Sequence, residues 1–168
     1  MTTTNITRKH RLLFICLGNI CRSPAAEGVM KAKVHAANLD EQFFIDSAGI
    51  GNWHAGQLPD SRMRERGARR GYRLDSRARQ IRQSDFDDFD LLLVMDRENY
   101  RIITSQAPDE ETRGKVRMLT DYLQEHRGAD VVPDPYYGDL SDFDYALDLI
   151  EDACDGLLEQ CVRNTSVD

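Results

Sequence analysis

Residues 11–24, RLLFICLGNICRSP, constrain the fold more than any other stretch of the chain. The apolar run Leu12 to Cys16 is too short for a helix and reads as a buried parallel strand. It runs into a loop holding Gly18, Asn19 and Arg22, and then into SPAAEGVMKAKVHAANL. There Ser23 is expected as the N-cap, Pro24 in the first helical turn and Glu27 in the first turns of the helix. Strand, tight loop and helix in that order form the first half of a crossover, which a parallel sheet requires.

The rest of the chain repeats the alternation. FFIDSAG reads as a second strand, and LPDSRMRERGARRGY as a helix interrupted by Gly67 and stopped near Gly71. FDLLLVM is the clearest later strand, followed by the helix candidate DRENYRIITSQA. KVRML is a weaker strand, and DFDYALDLIEDACDGLLEQCV a final amphipathic helix. The pattern predicts one α/β domain over residues 10–163, with a mostly parallel sheet of about four strands and crossover helices. Residues 1–9 and 164–168 are expected to be tails. In such a sheet ligands bind at the carboxyl ends of strands, where the strand order reverses, so the loop after Leu12–Cys16 lies where function is expected.

A net charge of −7 and a pI near 5.1 argue against general binding of nucleic acid or acidic membrane. An anionic ligand must therefore be attracted locally. No stretch reaches the roughly 18–20 apolar residues of a membrane helix. The run Leu12 to Cys16 is also shorter than the roughly 7–15 residues of a signal-peptide core. A cytoplasmic protein is expected. Four cysteines are too few for a disulfide scaffold and would stay thiols in a reducing compartment.

Cys16, Cys21 and Arg22 admit four uses: a metal site, a redox pair, a phosphate cradle, or plain packing. Cys16 and Cys21 lack zinc-knuckle spacing, and the histidines at 10, 35, 54 and 126 are scattered. A lone cysteine at a strand end is ordinarily a small buried hydrophobe, but the strand before it, the Gly-Asn turn and the Ser-Pro helix start point elsewhere. Backbone amides and the helix dipole favour an anion at that place. Gly18 is expected to turn the loop, Asn19 to pin its shape, and Arg22 to grip phosphate oxygens bidentately. Cys16 would lie beneath the anion as a thiolate favoured by the same amides, the dipole and the Ser23 hydroxyl. It would be placed for in-line attack at phosphorus. The leaving oxygen needs a proton, and VVPDPYYGD offers Asp134 between two prolines, with Tyr136 and Tyr137 to wall a slot for an aromatic ring.

CLGNICRSP together with DPYYGD resembles the low-molecular-weight protein tyrosine phosphatases, and the likeness spans most of the chain. DSAGIGNWHAG, RARQI and LLLVMDRENY look like further segments of that family. The family fold implied is a single-domain, four-stranded parallel sheet flanked by helices on both faces, flavodoxin-like and doubly wound. The resemblance implies Cys16 as nucleophile, Arg22 as transition-state clamp and Asp134 as general acid and then base. The phosphate loop would comprise Leu17, Gly18, Asn19, Ile20, Cys21, Arg22 and Ser23. Asn19, Ser23 and Ser47 would order the loop, with Asp96 as a support outside it. Ile20, Trp53, Tyr136 and Tyr137 would line the substrate slot.

Isoleucine at 20 resembles the tyrosine-directed branch, whereas threonine there resembles the arginine-phosphatase branch. No metal or cofactor is expected. The implied partners are phosphotyrosine-containing proteins and oxyanions in the loop, with no nucleic acid or membrane, and the chain as monomer or weak dimer. Cys21 is implied to form a reversible disulfide with Cys16 under peroxide. One departure is Ser76, where many members carry a histidine contacting the glutamate that matches Glu27.

Cys154 and Cys161 fall in one stripe with Leu147, Ile150 and Leu157 and read as core thiols. Their spacing nonetheless raises a thioredoxin-coupled arsenate reductase of the same fold as an alternative. A non-enzymatic phosphate-binding module would need neither the thiolate nor Asp134. The arginine-rich stretch Arg62 to Arg82 reads as a solvated helix face, with attraction of anionic partners as its other use.

Overall fold

The computed structural model describes residues 9–166. Residues 1–8 of the expected N-terminal tail and 167–168 of the expected C-terminal tail lie outside the described residues. The elements are β1 (His10–Cys16), α1 (Arg22–Ala36), β2 (Phe43–Gly49), α2 (Ser61–Arg69), α3 (Asp85–Asp88), β3 (Leu91–Val94), α4 (Arg97–Gln106), α5 (Glu110–Arg113), β4 (Val116–Met118) and α6 (Leu140–Ser166). Short 3-10 turns cover Asp40–Gln42 and Leu119–Tyr122. Among the described residues no helix is long and apolar enough to cross a membrane.

The strands form one parallel sheet in the order β2-β1-β3-β4. Chain order reverses beside β1, between its pairings with β2 and with β3, which opens a crevice at the carboxyl end of β1. In register, Cys16 lies opposite Gly49 and Ile15 opposite Val94. Alternation along β1 divides its side chains between two cores. Leu12, Phe14 and Cys16 join Val29 and Met30 of α1 and Leu147, Ile150 and Cys154 of α6. Leu13 and Ile15 join Phe86 of α3, Ile103 of α4, Leu92, Val94 and Val116. Helices thus cover both faces, and the expected four-stranded α/β fold is the observed one.

Several local expectations change. Ser23 is not the N-cap: α1 begins at Arg22 with Cys21 in the capping position and no side-chain cap bond. The Ser23 hydroxyl points instead at the cysteine sulfur, 3.0 Å away. Gly67 does not interrupt α2, because its missing side chain makes room for Leu74; an added Cβ would approach Leu74 Cδ1 to 2.8 Å. Gly71, at φ +88°, follows the end of that helix as expected. The final helix begins at Leu140 and continues to Ser166, through the boundary expected at 163.

The arginine stretch is largely paired with carboxylates. Arg66 reaches Asp144, Arg70 reaches Asp148 and Glu151, and Arg79 bridges Asp46 and Asp85. It cross-links α2 to α6 and the segment after α2 to the sheet.

Candidate active site

The site begins where β1 ends. The carbonyls of Cys16, Leu17 and Ile20 are taken by the amides of Ile50, Gly51 and Asp60 at 3.0, 3.0 and 2.8 Å, which fixes the loop against its neighbours. The left-handed position is Asn19, at φ 59°, and not Gly18. Asparagine tolerates that region better than other side chains. Here its amide nitrogen donates to Ser23 Oγ at 2.7 Å and Ser47 Oγ at 3.0 Å, while its oxygen accepts from the Arg79 amide at 3.0 Å. Gly18 serves close approach instead: an added Cβ would lie 3.1 Å from His54 Cδ2. Gly49 likewise lets β2 pass beneath the loop, since a Cβ there would lie 3.0 Å from the Gly18 carbonyl carbon.

Cys16 is buried on the floor of this loop. Ser23 Oγ accepts from Asn19, so its own proton is free to point at Cys16 Sγ at 3.0 Å, the other acceptor, Ala48 O, being 3.5 Å away. Behind Asn19 the network continues inward. Ser47 Oγ donates to Glu27 Oε1 at 2.5 Å, and Lys31 closes on Glu27 Oε2 at 2.6 Å. Lys31 and Ser47 are therefore the partners of Glu27.

Arg22 is only 2% exposed. Its Nη1 donates to Asp96 Oδ2 at 2.7 Å and to the Val132 carbonyl at 2.9 Å, leaving Nη2 3.7 Å from Asp134 Oδ2. Burial works against its charge, but the neighbouring Cys16, Asp96 and Asp134 outweigh it and hold the guanidinium above its ordinary range. Asp96 is itself fixed as the N-cap of α4 by the Asn99 amide at 2.8 Å.

Asp134 stands on the facing loop, 39% exposed, with Oδ1 accepting from the Tyr136 amide at 3.1 Å. The rings of Tyr136 and Tyr137 meet edge to face at 4.9 Å. Tyr137 is 95% exposed and Trp53 64%, so neither is a core residue. A cavity of about 300 Å³ is lined by Cys16, Arg22 and Asp134 below and by Trp53, Tyr136 and Tyr137 at the rim. Leu17, Gly18, Ile20 and Cys21 also line it. Asn19, Ser23, Ser47 and Asp96 lie behind it as supports. All the expected site residues are thus gathered at one place.

The sequence reading missed four participants. His54 lines the same cavity, its ring 6.4 Å from that of Tyr136; its place next to Trp53 was the available signal. Arg79 holds Asn19, and Asp60 and Arg62 link the Ile20 carbonyl to the Tyr136 carbonyl across the two loops; nothing local in the sequence distinguishes these three.

The model of the family "Low molecular weight phosphotyrosine protein phosphatase" matches residues 11–167. A Synechocystis sp. protein provisionally named as a low molecular weight protein-tyrosine-phosphatase is 50% identical, over 88% of this chain and 94% of its own. The low molecular weight protein-tyrosine-phosphatase of Streptomyces coelicolor is 44% identical, over 89% and 92%. Among solved structures, a protein tyrosine phosphatase from Entamoeba histolytica with Hepes in its active site superposes with a TM-score of 0.90 at 42% identity. That superposition covers 93% of this chain and 99% of the other.

Proposed function

The chain belongs to the low molecular weight phosphotyrosine protein phosphatase family and is a protein-tyrosine-phosphatase; from that premise we propose that it works through a phosphocysteine intermediate on Cys16. The observation that carries the reading is the convergence of Cys16, Arg22 and Asp134 on one cavity rimmed by aromatic rings. The substrate's phosphoryl group would sit in the loop from Leu17 to Ser23, with Arg22 Nη2 turned toward it and Nη1 anchored by Asp96. The Cys16 thiolate attacks phosphorus, the P–O bond to the tyrosyl oxygen breaks, and Asp134 gives that oxygen its proton. Water then attacks the phosphocysteine, Asp134 takes a proton from it, and the S–P bond breaks to release phosphate. Arg22 stabilises the charge on the equatorial oxygens in both displacements.

The depth of the slot supports phosphotyrosine over phosphoserine, because an aryl ring lets the phosphorus reach buried Cys16 while Tyr136 and Trp53 flank the ring. Ile20 at the cavity supports the tyrosine branch over phosphoarginine. An arsenate reductase relay is disfavoured, because Cys154 and Cys161 are buried on α6 and burial pushes the Cys161 thiol up to about 11. We take the cytoplasm as its compartment, which would keep the four cysteines reduced, as they stand.

The test compares turnover of phosphotyrosine, phosphoserine and phosphoarginine peptides, with arsenate-dependent oxidation of thioredoxin measured alongside. Phosphotyrosine is expected to exceed the others by orders of magnitude. Cys16→Ser is expected to bind an aryl phosphate without turning it over; wild-type turnover in that variant would refute the mechanism.

A further inference from the structure

We propose that Arg62 is a positioning residue for the reaction, tying the Asp134 loop to the phosphate loop and so fixing where the acid stands. The inference rests on the reading of Asp134 as the general acid. The Asp60 amide donates to the Ile20 carbonyl at 2.8 Å, inside the phosphate loop. The Asp60 carboxylate caps α2 through the Arg62 amide at 2.8 Å and takes the Arg62 side chain bidentately, Nε at 3.0 Å and Nη2 at 2.9 Å. The same Nη2 donates to the Tyr136 carbonyl at 3.0 Å. The Tyr136 amide in turn donates to Asp134 Oδ1 at 3.1 Å. A continuous path, Ile20–Asp60–Arg62–Tyr136–Asp134, joins the two halves of the site.

The guanidinium is held in place by rings as well as by bonds. It lies 4.6 Å from the centroid of Phe143, a buried residue of α6, and 5.6 Å from that of Tyr136. Pro133 and Pro135 stiffen the backbone around Asp134 but do not set the height of that loop above Cys16. Arg22 Nη1 and the Met95 carbonyl hold the loop at Val132, before Asp134, but Arg22 Nη2 is 3.7 Å from Asp134 Oδ2, beyond hydrogen-bond reach, so the Tyr136 side of the acid is left to Arg62. The planar fork of an arginine serves a carboxylate along one edge while reaching a carbonyl with the same nitrogen; a lysine ammonium cannot match that geometry. General-acid transfer is sensitive to placement on the scale of about 1 Å. Loss of Arg62 therefore acts on the step that needs the proton.

The experiment measures kcat/KM on two aryl phosphates, one with a good leaving group (p-nitrophenol) and one with a poor one (phenol). The enzymes are wild type, Arg62→Met, Arg62→Lys, Asp134→Ala and the Arg62→Met/Asp134→Ala double variant. Methionine keeps an unbranched stem over Phe143, and a thermal melt confirms that each variant is folded. Arg62→Met is expected to lose roughly 10- to 100-fold on phenyl phosphate and less than about threefold on p-nitrophenyl phosphate. Arg62→Lys is expected to recover only part of that loss. In the Asp134→Ala background the Arg62→Met loss is expected to vanish. Equal losses on both substrates, or a loss that persists without Asp134, would overturn the role of Arg62 and leave that of Asp134 intact. A leaving-group preference unchanged in Asp134→Ala would overturn the acid assignment first and this inference with it.

Discussion

Cys21 shows how one residue's setting decides its chemistry. Burial first, and then the nearby charges of Asp60, Cys16 and Asp134, push its thiol far above the ordinary range. It is therefore a protonated, weakly nucleophilic neighbour of Cys16 at neutral pH. The expectation for Cys21 is that, once peroxide converts the Cys16 thiolate to a sulfenic acid, its sulfur attacks that acid, forming a disulfide and releasing water. Wild type is expected to regain activity with dithiothreitol after peroxide, and Cys21→Ser to regain much less. Recovery by Cys21→Ser equal to that of wild type would exclude the guard role. The gathering of Cys16, Cys21 and Arg22 at one cavity was legible in the sequence because all three lie within one short loop. Asp134 was legible because two prolines and two tyrosines mark it. Arg62 was not, since its decisive contact lies 74 residues away and any surface arginine looks the same in sequence.

At the scale of elements, β1 and β3 were legible because buried parallel strands read as continuous apolar runs, while β2, holding Asp46 and Ser47, still falls on the predicted FFIDSAG at Phe43–Gly49. Glycines inside helices were harder to read. Glycine costs a helix about 1 kcal/mol relative to alanine, so Gly67 reads as an interruption. The cost is offset by the packing of Leu74 into the space it leaves, a tertiary contact that no local pattern announces. Gly156 of α6 gives the stricter case. A Cβ there would lie 1.9 Å from the Tyr122 carbonyl oxygen, and that atom is backbone, with no rotamer to yield. Propensity alone predicts that Gly156→Ala stabilises by about 1 kcal/mol. The geometry predicts the opposite sign, a loss of about 1–3 kcal/mol as the turn at Leu119–Tyr122 is forced off α6. Chemical denaturation of the two proteins decides it; a higher midpoint for the variant would show that the turn moves without cost.

Across the whole molecule, charge is arranged in opposed surfaces and not spread evenly. The chain carries a net charge of −7, yet its arginine-rich stretch faces the carboxylates of the last helix. Those partners lie some 78 to 81 residues apart in sequence, so composition exposed the charge run but not its target. Arg66 and Asp144 form the most regular of these pairs, with bonds of 3.0 and 2.8 Å between Nε, Nη2 and the two carboxylate oxygens. The Arg66 hydrogen bonds hold the Asp144 carboxyl below its ordinary range. A depressed carboxyl contributes stability that is fully present above the unfolded value of about 3.9 and is lost as pH falls through the folded value. Both side chains are partly solvated, so the pair contributes only modestly. Asp144→Asn should therefore lower the melting temperature at pH 7 by about 1–4 °C. The gap to wild type should begin to close as pH falls below about 4, where the unfolded carboxyl takes up its proton, and should vanish only below the lowered folded value. It should also shrink in molar salt, which screens the pair. Melts of both proteins from pH 7 down to pH 3 test this, and a gap that stays constant over that range would mean that Asp144 stabilises the α2–α6 contact by packing and not by charge.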